Sequence, residues 1–141
     1  MELTAGLPPD RRDRVEARLQ TNLMAWLTTV NASGRPDSVP VWFLLRADGS
    51  FLLYSQPGKA KLRNIDGNPH VALGLDVTDI GRDVIRIEGT AARAPGHPRA
   101  DQVPEYAAKY AERIAAIFDT VERFGEQFSE AIVITPSRLH T

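Results

Sequence analysis

The chain has 141 residues, of which 17 are basic and 18 acidic, a formal net charge of −1, and no cysteine. This length suits one domain, residues 1–141, with a modest core. The balanced, interspersed charge creates no field that would recruit nucleic acid. The missing thiols exclude disulfides and thiolate metal sites and fit a reducing cytoplasm. The N-terminus lacks the basic and apolar segments of a signal peptide, and no apolar run approaches the roughly 18 residues of a membrane span.

Pro8-Pro9-Asp10 opens a helical pattern in which Val15, Leu19 and Leu23 share a face. Leu23–Val30 reads as a strand, Asn31–Gly34 as a turn, and Pro36–Leu45 as a second strand rich in β-branched and aromatic residues. Pro40 lies within it and cannot donate to a ladder, which marks an edge or a bulge. Ala47-Asp48-Gly49 is a second hairpin turn and Phe51–Ser55 a third strand. Gly58–Ile65 is a short helix, ended by Asp66-Gly-Asn-Pro69. Val71–Asp76 and Asp83–Ala94 are a fourth and a fifth strand. Arg86 and Glu88 share a face of the fifth, where they are expected to form a cross-barrel ion pair. From Pro104, residues Tyr106, Tyr110, Ile114, Ile117, Phe118 and Val121 recur at helical spacing, and Phe124 and Phe128 extend the pattern into a second short helix. Ala131–Thr135 is a sixth strand, closed by Pro136. Six short strands with three hairpin-linked at the start predict a mainly β fold, a small antiparallel barrel of Greek-key type with peripheral helices.

The stretch Tyr54–Ile65 carries the most chemistry. An apolar strand stops at Pro57-Gly58 and a basic helix begins. Only three lysines occur in the chain, and Lys59 and Lys61 both fall here, beside Arg63. A helix start offers free amides and partial positive charge, Ser55 adds a hydroxyl, and Gly58 allows close approach. The segment suits a phosphate group equally as it suits a solvated basic surface. Lys59 and Arg63 share one helical face. Lys61 points elsewhere and is the cation expected to reach into the barrel groove.

A second constellation is Ser38-Val-Pro-Val-Trp-Phe43. Its proline frees backbone groups that a flat heteroaromatic ring can bond, with Trp42 or Phe43 as a wall; an ordinary edge strand with core aromatics satisfies the same pattern. Thr28 and Thr29 alternate, so only one faces a pocket. His70, His97 and His140 are scattered and match no metal motif. There is no P-loop, dinucleotide glycine fingerprint or nucleophile elbow. The missing acid–base–nucleophile set favours chemistry carried by a bound cofactor.

Trp26-Leu-Thr-Thr-Val30, Gly34-Arg-Pro36, Pro40-Val-Trp-Phe43, Tyr54-Ser-Gln-Pro57, Lys61-Leu-Arg-Asn64 and Asn68-Pro-His-Val71 occur in the order and spacing of a known family. The chain resembles the pyridoxamine 5′-phosphate oxidase-like split-barrel flavoproteins, and within them the small actinobacterial coenzyme F420-dependent enzymes. The resemblance covers nearly the whole sequence, including Lys109-Tyr110 and Ile132-Val-Ile-Thr-Pro136.

The resemblance implies a six-stranded antiparallel split barrel that forms a homodimer with the cofactor in a groove at the interface. It also implies that Lys61 contacts the cofactor phosphate, with Tyr54, Ser55 and Gln56 at the strand end and Lys59 nearby. Val39, Pro40, Val41 and Trp42 run along the flavin or deazaflavin ring, Thr28 lines the pocket, and Asn64 orients the basic helix. The implied activity is hydride transfer from reduced coenzyme F420 to a small unsaturated substrate. The alternatives are an FMN-dependent oxidase or reductase and a non-enzymatic flavin, haem or tetrapyrrole carrier. Arg138-Leu-His140 matches an element of the vitamin B6 oxidases, but the strand that follows it there is missing, so B6 oxidation is not expected.

Overall fold

The computed structural model describes residues 1–141. Helix α1 (Pro9–Thr21) precedes strands β1 (Ala25–Val30), β2 (Pro36–Val41), β3 (Leu44–Leu45) and β4 (Phe51–Ser55). Helix α2 (Ala60–Gly67) leads to β5 (His70–Leu75) and β6 (Ile85–Arg93). Three short helices follow, α3 (Pro104–Lys109), α4 (Ala111–Phe118) and α5 (Val121–Gln127), and β7 (Glu130–His140) ends the fold. All strands pair antiparallel in one sheet of order β2-β1-β5-β6-β7-β4-β3.

The fold is mainly β with peripheral helices, as expected, but it has seven strands rather than six because the second predicted strand breaks at Trp42–Phe43. Residues 36–41 pair with β1, whereas Leu44–Leu45 pair with β4. The two pieces are the two edges of the sheet. Val41 and Leu44 are three residues apart, so those edges lie within about 11 Å and the sheet must curl into a half-barrel.

Two apolar clusters follow. Inside the curl, Leu27, Phe43, Phe51, Leu53, Leu73, Ile87, Ile132 and Ile134 pack with Val15 and Leu19 of α1 and with Leu62 and Ile65 of α2. Outside, Leu52, Tyr54 and Ala131 pack under Tyr106, Tyr110, Ile114 and Phe124 of the late helices. Strand β4 is therefore buried on both faces, which explains its unbroken apolar run. Each fully buried Phe- or Leu-sized side chain in these clusters contributes roughly 1.5–3 kcal/mol.

Several sequence expectations need correction. Leu23 lies beyond the end of α1, and its carbonyl accepts from Tyr110. The long helix from Pro104 is three helices, broken at Tyr110 and at Asp119, where φ is 72°; Thr120 caps the last of them by accepting from the Arg123 amide. Ile117 does not join the apolar face: it is 63% exposed. Pro136 does not close the last strand. It sits at a bulge, where Gly89 faces Pro136 and Glu88 faces Arg138, leaving Ser137 as the extra residue. Glu88 does not pair with Arg86; its carboxylate lies 3.3 Å from Nε2 of His140, which faces Arg86 in the ladder and so reaches Glu88 diagonally.

Candidate functional site

The Pro57-Gly58 turn forms as its residues dictate, with Gly58 at φ 77°. Leu62 and Ile65 bury one face of α2 against the barrel. Between them Asn64 donates from Nδ2 to Thr29 Oγ1 at 2.9 Å in the interior, tying α2 to β1. Thr29 is thus the inward threonine. Thr28 faces outward, its hydroxyl 2.6 Å from that of Ser38 across the β1–β2 ladder.

The three cations of the turn divide. Arg63 donates to the Gly58 carbonyl at 3.0 Å and braces its own turn. Lys59 is exposed at the N-cap. Lys61 is half-buried and makes no hydrogen bond or ion pair within the protein. Burial, reinforced by the Lys59 charge, lowers its pKa below the usual lysine value, while Asp37 opposes the shift. A desolvated cation without a partner is costly, and an anionic group that reaches it recovers that cost.

Lys61 lines a cleft of about 180 Å³. Pro40, Val41, Trp42, Tyr54, Tyr106, Ile117, Phe118, Phe124 and Phe128 complete its lining. Trp42 lies flat on Tyr110, with ring centroids 4.5 Å apart and planes at 4°, and stacks against Phe124 at 5.5 Å. Phe118 meets it edge-on at 6.1 Å.

The strand break beside this cleft is held from α3 and its C-cap. Tyr110 accepts the Phe43 amide at 2.8 Å and its hydroxyl reaches the carbonyls of Leu23 and Phe43. Lys109 donates to the Phe43 carbonyl at 2.7 Å, with its ammonium 3.9 Å from the Phe43 ring centroid. Burial brings the Lys109 pKa down to about 8. Sequence reading missed both roles; the only available signal was the third lysine standing next to a core tyrosine.

The remaining residues fall as follows. Tyr54 offers its ring, since its hydroxyl donates to the Pro98 carbonyl at 2.7 Å and burial raises its pKa to about 12. The buried Ser55 hydroxyl turns to the Gln56 carbonyl at 2.8 Å, and Gln56 is partly exposed beside it. Val39 packs against the inner cluster, so only its backbone is open to a ligand. Strand β2 is a sheet edge, so alternate backbone amides and carbonyls along Pro36–Val41 point away from β1 without ladder partners. The cleft thus combines an unpaired cation, a free strand edge and aromatic walls, a donor set that fits a planar heteroaromatic group carrying a phosphate. Sequence reading did not anticipate the walls from Phe118, Phe124 and Phe128, although the aromatic density of that segment was their trace. A wider depression of about 860 Å³, between the N-terminus and the Ala47–Ser50 turn, contains none of these residues.

On the outer face next to Pro40, the side chain of Trp26 is 50% exposed. It shares a shallow groove with Met24, Gly74 and Val84. No helix of the protein is long and apolar enough to cross a membrane.

The model of the family described as pyridoxamine 5′-phosphate oxidase matches residues 12–141. Among curated proteins, none matches the sequence. Similar solved structures include a pyridoxamine 5′-phosphate oxidase assignment from Listeria innocua (21% identity, TM-score 0.63, 91% of this chain and 94% of that one). An F420 reductase is 22% identical with a TM-score of 0.69, over 89% of this chain and 94% of the other. HutZ, the heme storage protein of Vibrio cholerae, is 15% identical with a TM-score of 0.64, over 92% of each chain. At these identities the likeness is one of fold.

Proposed function

The chain belongs to the pyridoxamine 5′-phosphate oxidase family, and from that premise we propose that it is a homodimeric split-barrel oxidoreductase using coenzyme F420. When bound, the reduced deazaflavin supplies a hydride from ring carbon. The chain's own residues bind, orient and keep water out. Lys61 holds the phosphate, with Lys59 adding positive potential at the turn. The free edge of β2 bonds the polar rim of the ring through its backbone, along Val39, Pro40, Val41 and Trp42. Thr28 and Ser38 border the same outer face. The walls of Trp42 and Phe118 exclude solvent from the reacting face. The observation that carries this reading is the half-buried, unpartnered ammonium of Lys61 beside a free strand edge. The fold shared with an F420 reductase supports the choice of coenzyme.

Exposed Trp26, Met24 and Val84 support a homodimer, since a second copy on this face covers them and borders the adjoining β2 groove. A sedimentation measurement that finds only monomer at micromolar concentration overturns it.

FMN is the second reading, because it offers the same phosphate and planar ring and its family typically uses it. Side-by-side fluorescence titration with F420 and FMN decides between them. The expected result is tighter F420 binding that weakens at least tenfold in Lys61→Ala. No binding of either cofactor ends the oxidoreductase reading. A haem carrier is the third reading: the cleft has no histidine or methionine, and its one free candidate for iron is the buried, unpartnered hydroxyl of Tyr106.

A further inference from the structure

We propose that helix α1 and the loop before β6 form a second binding site, an arginine cleft that takes a linear polyphosphate. It is separate from the Lys61 turn and does not depend on which cofactor the chain uses.

Arg11, Arg14 and Arg18 stand three and four residues apart on α1, so they make one stripe along the helix. Arg82 lines the same cleft from the loop, and the enclosed volume is about 230 Å³. Gly81 turns the loop there at φ 69°, and the Arg82 amide donates to Thr78 Oγ1 at 3.1 Å.

The charges of the cleft do not balance. Asp83 is the only acidic side chain in the lining, and its Oδ1 lies 2.8 Å from Arg14 and 3.2 Å from Arg18. Asp76 feels the Arg18 charge, but its carboxylate already accepts from the Thr78 amide and hydroxyl. Even with a carboxylate at Thr141, four guanidiniums keep a positive excess. Arg18 is the fixed member: its side chain is only 12% exposed, and its Nη1 is tied to the carbonyl and the carboxylate of Asp83. Its buried Nε and Nη2 have no partner, although that edge is one a guanidinium offers to an oxyanion. It lies beneath the surface, so Arg18 sets the potential of the cleft and the exposed Arg11, Arg14 and Arg82 make the direct contacts. The side chains of Arg11 and Arg82 have no hydrogen bond or ion pair within the protein. Like charges crowded in this way repel, and an anion placed among them relieves the repulsion.

Spacing sets the ligand. At about 1.5 Å per residue, Arg11 and Arg18 lie roughly 10 Å apart along the helix axis. A single phosphate reaches neighbouring arginines, whereas a chain of three phosphates spans the stripe and offers each guanidinium its own pair of oxygens. An inorganic chain and the tail of a nucleoside triphosphate share this chemistry. No aromatic side chain lines the cleft to stack a base, which favours the inorganic chain.

The test is calorimetric titration of cofactor-free protein with tripolyphosphate, in metal-free buffer at physiological ionic strength. Saturable binding is expected, at least tenfold tighter than that of orthophosphate. Arg11→Ala combined with Arg82→Ala, which removes two exposed side chains without partners and leaves the fold intact, is expected to weaken it at least tenfold. Lys61→Met is expected to bind tripolyphosphate as the native chain does. ATP forms the second arm. Binding at least fivefold weaker than tripolyphosphate assigns the site to the inorganic chain, and equal or tighter binding assigns it to a nucleotide; either result supports the arginine cleft. The proposal is overturned if tripolyphosphate gives no saturable binding, if orthophosphate matches it, if the double variant keeps the native affinity, or if Lys61→Met loses as much affinity as the double variant.

Discussion

The hydroxyl of Tyr110 accepts the amide hydrogen of Phe43 at 2.8 Å, across 67 residues of chain. The amide needs this partner because the strand changes neighbours there and leaves both ladders. Tyr110→Phe removes the acceptor and keeps the ring. An unsatisfied buried amide costs about 1–3 kcal/mol, so urea denaturation is expected to show that loss, with Trp42 fluorescence shifted as its stacking partner loosens. A variant as stable as the native chain counts against Tyr110 as the staple of the break.

Lys109 makes stability depend on pH. Its folded pKa of about 8 lies below the ordinary 10.5, so between those values the unfolded chain binds more protons. The penalty for burying the ammonium is fully present below pH 8 and is relieved as pH rises towards 10.5. The raised pKa values of Tyr54, Tyr106 and Tyr110 act in the opposite sense only above pH 10. Denaturation midpoints of the native chain relative to Lys109→Met are therefore expected to climb from pH 8 to pH 10. A flat difference refutes the assignment.

Lys61→Met separates binding from folding. Removing a half-buried cation with no partner is expected to leave the melting temperature of the cofactor-free protein unchanged or raised, while the phosphate-bearing cofactor binds at least tenfold more weakly. A large drop in melting temperature instead makes Lys61 a structural residue.

Gly89→Ala tests the bulge. An added Cβ stands 2.6 Å from the Thr135 carbonyl oxygen, which is backbone and cannot swing aside. Overpacking of this kind costs about 1–3 kcal/mol. Gly74→Ala, on the neighbouring strand with open space around its Cβ position, is the control expected to cost less in the same denaturation assay.

The hairpin turns were legible because their residues state the geometry. Gly34 and Gly49 take φ of 77° and 87°, where few other residues rest. The basic turn was legible for the same reason. The break at Trp42–Phe43 was not, because every residue around it favours strand. Pro40 marked an edge or a bulge, and the edge is what the structure shows, with Pro40 in regular register opposite Trp26. What breaks the strand is supplied from Lys109 and Tyr110, and a local pattern does not register a partner that far away. Pro136 misled in the opposite direction. A proline normally ends a central strand, but here Gly89 on the facing strand makes room for a bulge that absorbs it. In the site, Lys61 was separable from Lys59 and Arg63 by helical angle alone. The aromatic walls were not, because the helix containing Phe118 ends at Asp119, where φ of 72° redirects the chain towards Phe124 and Phe128.

The broken strand also bears on the order of folding. Its first half zips onto β1 and its second onto β4 through short hairpins, both rapid local events. The two halves come together as edges of one curled sheet only after β4 has met β7, a pairing of Phe51 with Ile134 that spans the greatest sequence distance of any strand pair. Closing so long a loop is slow. The cleft wall at Trp42 is therefore among the last surfaces to form, and its amides should be among the first to exchange with solvent when the native sheet opens.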